Sequence, residues 1–278
     1  MTLLDVELRR ALARRLVRFT ALLALVGIVV AAIIVFFSHS DLPPGPAPTL
    51  GEDCVEVAPG EVQCFGVFQA VSDERFHLAD LKGVFGGMIV PLVILAWLLG
   101  ASLVGGEWRA GTMTTLLTWE PRRVRVMLAK VAAAVIVGMS FFVVFQVVLG
   151  FALLPTAIFR GTTEGFDLAD TARFLLRGML LAGVGGMIGF ALGSLGRNTT
   201  MAMTAGFIYL AVLEGGLLGG FFPGIRRWLI VGNSIVLMTG GSVDITGRGQ
   251  VGAGVMLLTY GLGAVAIATA VFRARDVT

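Results

Sequence analysis

The sequence predicts an all-α membrane protein with six transmembrane helices, and its composition is the first reason. The chain of 278 residues is 56% hydrophobic and only 14% charged, whereas soluble domains carry about a quarter charged residues. Several apolar runs exceed the roughly 20 residues that a spanning helix needs, and the 38 glycines suit close helix packing in lipid. We therefore expect a single transmembrane domain over residues 1–278.

Residues 1–18 have the pattern of a basic amphipathic helix. Apolar side chains fall within one arc of a helical wheel, at Leu4, Leu8, Leu12, Leu16 and Phe19. Arginines repeat every four residues on the other side, at Arg10, Arg14 and Arg18. Such a helix lies in the plane of the membrane interface. The alternative is a solvated basic N-terminus.

Hydropathy predicts spans at residues 19–37, 82–104, 127–154, 174–195, 201–222 and 250–272. The fourth span carries Gly185, Gly189 and Gly193, whose spacing gives one smooth face to a neighbouring backbone. In residues 223–249, the apolar run from Trp228 to Met238 is too short to span. We expect a re-entrant or surface-lying segment there, on the outer side.

The distribution of basic residues predicts the orientation. If the N-terminus is cytoplasmic, the inner segments hold 13 of the 21 Lys and Arg residues, as the positive-inside rule requires. Both termini are then cytoplasmic, and residues 38–81 form an extracytoplasmic loop. Cys54 and Cys64 lie in this loop, on the oxidising side. A disulfide between them would contribute about 2–3 kcal/mol; the alternative is two free thiols.

Residues 107–125 form the loop between the second and third spans, on the cytoplasmic side. Thr112 is suited to cap a two-turn helix from Met113 to Trp119, and Pro121 ends helical geometry at the residue before it. The side chains of Leu116, Leu117 and Trp119 are too apolar for a free cytoplasmic loop. They fit a cleft on a partner protein, or they rest on lipid headgroups.

One pattern is shared with a known family. It consists of Glu107, Gly111, Thr112, Leu116, Leu117, Pro121, Arg123 and Lys130, placed between the second and third of six spans. This pattern resembles the permease subunits of ABC-2 type transporters. The resemblance implies that 107–125, with Trp119, contains the coupling helix, which fits a groove on a separate ATP-binding subunit. It also implies that residues 1–18 are the family's elbow helix.

The resemblance further implies a multi-pass exporter subunit in the bacterial inner membrane. Its partners would be ABC ATP-binding subunits, membrane lipids, and a second permease copy or a sister permease. Homodimer and heterodimer both stay open, and so does the substrate, which could be a drug, an antibiotic, a lipid or a peptide.

The lysines bear on whether the chain hydrolyses ATP. A phosphate-binding loop needs Gly-Lys followed by Ser or Thr, and neither Lys82 nor Lys130 follows a glycine. ATP and Mg²⁺ would therefore belong to the partner subunit. We expect no catalytic residue, no metal site and no cofactor in this chain, and no nucleic-acid partner.

Glu214 is the only acidic residue inside a predicted span. A carboxylate at membrane depth is costly and often functional, so Glu214 is a candidate for the transport path. The alternatives are a structural hydrogen bond to a neighbouring helix, or a position at the interface. Two other functions also stay open: an ion-driven secondary carrier, which would usually need more titratable groups near the midplane, and a non-transporting scaffold or immunity protein.

Overall fold

The structure, a computed structural model, describes residues 3–39, 54–58, 61–64, 75–119, 122–214, 223–243 and 245–274. It is almost entirely helical. The helices are α1 (Leu3–Ala13), α2 (Arg15–Ser38), α3 (Leu81–Arg109), α4 (Thr112–Trp119), α5 (Arg123–Arg160), α6 (Leu168–Leu195), α7 (Thr199–Ile208), α8 (Ile230–Met238) and α9 (Gly249–Ala274). Short strands are β1 (Cys54–Ala58), β2 (Glu61–Cys64), β3 (Phe76–His77) and β4 (Gly161–Thr162).

Five of the described helices are long and apolar enough to cross a membrane: α2, α3, α5, α6 and α9. The predicted helical class is thus confirmed, and these helices are consistent with a membrane protein. The predicted span 201–222 is described only to Glu214, where α7 continues as a π-helix over Tyr209–Glu214. The rest of it lies outside the described residues, so the sixth span stays a prediction. Helix α8 has nine residues, too few to span, as expected for its segment.

The N-terminal segment departs from the predicted helix boundaries. Helix α1 ends at Ala13, and α2 begins at Arg15, several residues before the predicted start of the first span. The buried residues of α1 are Glu7 and Ala11, whereas Leu12 is 59% exposed. The protein thus buries Glu7 and Ala11 of α1, and Leu8 is partly buried against the hydrophobic core. Its location at a membrane interface stays a prediction.

The chain divides into two compact units. The first comprises Met1–Val26, Lys82–Val148 and Leu168–Thr278 and contains the main hydrophobic core. In this unit the predicted glycine face of α6 packs against the backbone of α3. A Cβ atom added at Gly185 would lie 3.0 Å from the carbonyl oxygen of Val93, and one at Gly193 would lie 2.8 Å from that of Ala101. The predicted role of these glycines in close packing is confirmed.

The second unit comprises Gly27–Leu81 and Leu149–Asp167. Within it, β1 pairs antiparallel with β2, and the register places Cys54 directly opposite Cys64. The disulfide itself stays a prediction. The guanidinium of Arg160 donates to the carbonyls of Phe36, at 3.0 Å, and His39, at 3.1 Å.

Substitution of Gly189 tests the contact between α3 and α6. A Cβ atom there would overlap the carbonyl oxygen of Trp97, so Gly189→Ala should destabilise the protein by about 1–3 kcal/mol through overpacking. The measurement is thermal unfolding in detergent. Gly263→Ala is the matched control, because a Cβ at Gly263 meets no heavy atom of the described residues within 4 Å. Equal melting temperatures for both variants would contradict this packing.

Candidate functional site

The short helix α4 follows α3 after a two-residue turn. The amide of Gly111 donates to the carbonyl of Trp108 at 3.2 Å, and Gly111 has a φ of +68°. Residues with a side chain rarely adopt this left-handed conformation, which explains a glycine at the end of α3. The predicted two-turn helix before Pro121 is thus present over Thr112–Trp119. Pro121 lies outside the described residues.

Only part of the predicted docking face can be described. Leu116 is half-buried, whereas the side chains of Leu117 and Trp119 lie outside the described part of the chain. Thr112 is the first residue of α4, and its hydroxyl donates to the carbonyl of Glu107 at 3.4 Å. Met113 is 1% exposed and belongs to the hydrophobic core. Met113 therefore anchors the helix to the protein, a role that its position beside Leu116 and Leu117 could have suggested.

The end of α3 is fixed by a buried network of ion pairs. The ammonium of Lys130 lies 2.7 Å from Oε2 of Glu107 and 2.9 Å from Oε2 of Glu7. The side chains of Lys130, Glu7 and Glu107 are 4%, 6% and 12% exposed. The network joins α1, α3 and α5 directly beside α4. We define these three residues together with Arg14 as the buried ion network.

Arg14 completes the network from the bend between α1 and α2. Its Nη2 atom lies 3.1 Å from Oε1 of Glu107, and its guanidinium also donates to the carbonyls of Ser102, at 2.8 Å, and Leu103, at 2.9 Å. Gly106 leaves space for it, since a Cβ there would lie 3.1 Å from Nη1 of Arg14. Arg14, predicted on the basic side of the amphipathic helix, thus has its charge paired with Glu107 and with backbone carbonyls of α3.

A second set of contacts ties the last turn of α3 to the junction of α6 and α7. The guanidinium of Arg197 lies 4.7 Å from the ring centre of Trp108, a cation–π distance. Arg109 donates to Oδ1 of Asn198 at 3.1 Å, and the same oxygen accepts from the amide of Thr200 and caps α7. The last turn of α3 is thus held both by the buried ion network and by the junction of α6 and α7.

Arg123, the last of the predicted coupling residues, is the first residue of α5. Its Nη1 atom donates to the carbonyl of Arg273 in the last turn of α9, at 3.4 Å. The structure therefore brings Glu107, Gly111, Thr112 and Leu116 together around α4 and places Arg123 at the following helix start. Sequence reasoning missed Glu7, Arg14 and Met113 as parts of this site.

Glu214 lies apart from this site, at the end of the π-helix. Its Oε1 atom accepts from the amide of Val231, at 2.8 Å, and from the hydroxyl of Tyr209, at 2.9 Å. The same hydroxyl accepts from the amide of Ile230 at 3.0 Å. Glu214 and Tyr209 therefore satisfy the first amides of α8, where the helix dipole also favours a negative charge. The hydrogen bond to a neighbouring helix is present, and a role in the transport path stays a prediction.

No family model matches the sequence, and no curated protein matches it.

Removal of the Lys130 charge tests the buried ion network. Lys130→Met would leave the buried carboxylates of Glu7 and Glu107 without their shared counter-charge, so we expect a loss of about 3–5 kcal/mol in stability. The measurement is thermal unfolding of the detergent-solubilised chain. Arg9→Met, an exposed change on α1, should stay within about 0.5 kcal/mol of wild type. A similar loss in both variants would show that the network has no special role.

Two substitutions of Glu214 separate its hydrogen bond from its charge. Glu214→Ala removes the acceptor for the amide of Val231 and should cost about 1–3 kcal/mol. Glu214→Gln keeps an acceptor oxygen and loses only the charge, so it should cost less than about 1 kcal/mol. Thermal unfolding in detergent measures both. If Glu214→Ala unfolds at the wild-type temperature, the contact with α8 does not stabilise the protein.

Proposed function

We propose that the chain is the permease subunit of an ATP-driven exporter of the ABC-2 type, in the bacterial inner membrane. It would form the substrate path with a second permease copy or a sister permease, and separate ATP-binding subunits would dock on its cytoplasmic side. The observation that carries the proposal is α4, an eight-residue apolar helix between two helices long enough to span, fixed at its base by buried charges.

The contacts around α4 suit the transfer of a force. Met113 is buried in the core, and a turn of only two residues, which includes Gly111, joins α4 to α3. The buried ion network then ties the end of α3 to α1 and α5. A push on α4 from a partner would therefore move the ends of three helices together rather than bend one loop.

The exported substrate would pass between subunits, and this chain would make or break no covalent bond. ATP hydrolysis on the partner would supply the free energy, since the sequence lacks the Gly-Lys-Ser/Thr arrangement that holds nucleotide phosphates. The role of this chain is then to present α4 and to open and close the path. Glu214 is a candidate to line that path.

Leu116→Asp tests the docking role of α4. A charge in place of a half-buried leucine should disrupt an apolar contact with the ATP-binding subunit and reduce co-purification and ATP-driven export about tenfold or more. The matched control is Thr115→Asp, which places the same charge on an exposed neighbouring position. Thermal unfolding of each variant alone shows that the chain still folds.

Two results would contradict the proposal. One is wild-type assembly and export in Leu116→Asp. The other is transport in vesicles that contain the purified chain alone and an ion gradient, without any ATP-binding subunit, which would indicate a secondary carrier.

A further inference from the structure

An open groove lies where the start of α5 meets the last turn of α9. It has a volume of about 430 Å³ and is lined by Arg122, Arg123, Val124 and Arg273. We call it the arginine groove. Arg122 and Arg273 are exposed, and Arg123 is half-buried. The described residues that line the groove thus contribute three guanidinium groups and no carboxylate.

The groove is held in shape by one of its own arginines. Nη1 of Arg123 donates to the backbone carbonyl of Arg273 at 3.4 Å and so joins the start of α5 to the end of α9. Because the acceptor is a carbonyl, this bond does not use the side chain of Arg273. Arg123 therefore connects the two helices that form the groove. The exposed guanidinium groups of Arg122 and Arg273 remain available to a ligand.

The position of the groove along α9 indicates its depth relative to the membrane. Helix α9 has 26 residues and is apolar enough to cross a membrane, a length close to that of a bilayer with its interfaces. Arg273 stands in its last turn. Residues at this place on a spanning helix lie at the depth of the lipid headgroups, where Arg side chains extend towards phosphate.

We propose that the arginine groove binds the phosphate of an anionic phospholipid headgroup. Guanidinium groups match phosphate oxygens in a bidentate geometry that an ammonium cannot reproduce. Free phosphate has the same chemistry, and the location at headgroup depth favours the lipid. The inference does not depend on the proposed export function, because it concerns this chain and its membrane alone.

The test is native mass spectrometry of the purified full chain with phosphatidylglycerol and phosphatidylcholine. Wild type should retain phosphatidylglycerol in preference to phosphatidylcholine. The double variant Arg122→Gln/Arg273→Gln should weaken this retention about tenfold or more. Arg123 is left intact, so the bond to the carbonyl of residue 273 is kept. The control Arg9→Gln/Arg18→Gln removes the same charge from two exposed positions outside the groove and should change retention less than about threefold.

A further arm separates the two sources of phosphate. If inorganic phosphate displaces the lipid and is itself lost in the groove variant, the phosphate site is supported and its ligand is a solute. Equal losses in the groove variant and in the control would overturn the proposal, since they indicate only diffuse attraction. Equal retention of phosphatidylcholine would also overturn it.

The remaining outcomes concern other occupants of the groove. Glu120 and Asp276 are near in sequence and lie outside the described residues. If Glu120→Gln/Asp276→Asn raises lipid retention about tenfold, the chain's own acids fill the groove and the proposal fails. It also fails if the groove variant keeps its lipid but loses a co-purified ATP-binding subunit, which would assign the groove to a partner protein.

Discussion

The ammonium group of Lys130 lies between the carboxylates of Glu7 and Glu107, with 4% of its side chain exposed. An ion buried to this extent loses several kcal/mol of hydration, and a close counter-charge must offset that loss. Two carboxylates around one ammonium leave one negative charge in excess, which Arg14 offsets from the opposite side of Glu107. The arrangement of α1, α3 and α5 depends on this balance. Arg10 also lies 3.6 Å from Oε1 of Glu7, but its own side chain is 55% exposed.

Such a network contributes more to position than to net stability. Apolar side chains of similar volume often stabilise a protein as well as a buried ion pair does. Charges, however, tolerate far smaller displacements than apolar contacts, since a pair that separates leaves both ions without solvent. The network therefore specifies where α3 ends relative to α1 and α5. Because the turn at Gly111 is short, the position of the end of α3 also fixes where α4 begins.

The sequence predicted the helices better than it predicted their contacts. Long apolar runs identify α2, α3, α5, α6 and α9, and the spacing of Gly185, Gly189 and Gly193 identifies the face of α6 that meets α3. The short helix before Pro121 follows from local chemistry. Each of these features depends on neighbours in sequence, and local pattern is what a single sequence records.

The buried ion network was missed because its members are far apart in the chain. Glu7 and Lys130 are separated by 123 residues, and no local pattern relates them. Two features of the sequence nonetheless indicate buried charges. Glu7 is, with Asp5, one of two acids in an otherwise basic N-terminal segment. Lys130 stands inside an apolar helix, where a charge needs a partner. The leucine arc of α1 predicts a face towards the membrane interface, and it carries no information on the ions that surround Glu7.

Hydrogen bonds to helix C-termini explain why several arginines occur in segments that the distribution of basic residues assigns to the outer side. A helix ends with carbonyl groups that lack intrahelical donors, and a membrane offers no water to satisfy them. Among the described residues, three helices receive a guanidinium from another helix near the C-terminal end: Arg160 on α2, Arg177 on α8 and Arg123 on α9. The negative end of the helix dipole favours the same placement. Arg160 lies in a predicted outer segment and Arg177 at the outer end of the predicted fourth span, and both donate to carbonyls near helix ends. The positive-inside rule counts every basic residue alike. Arginines that bind helix ends therefore reduce the excess of basic residues on the inner side, but they do not contradict the predicted topology.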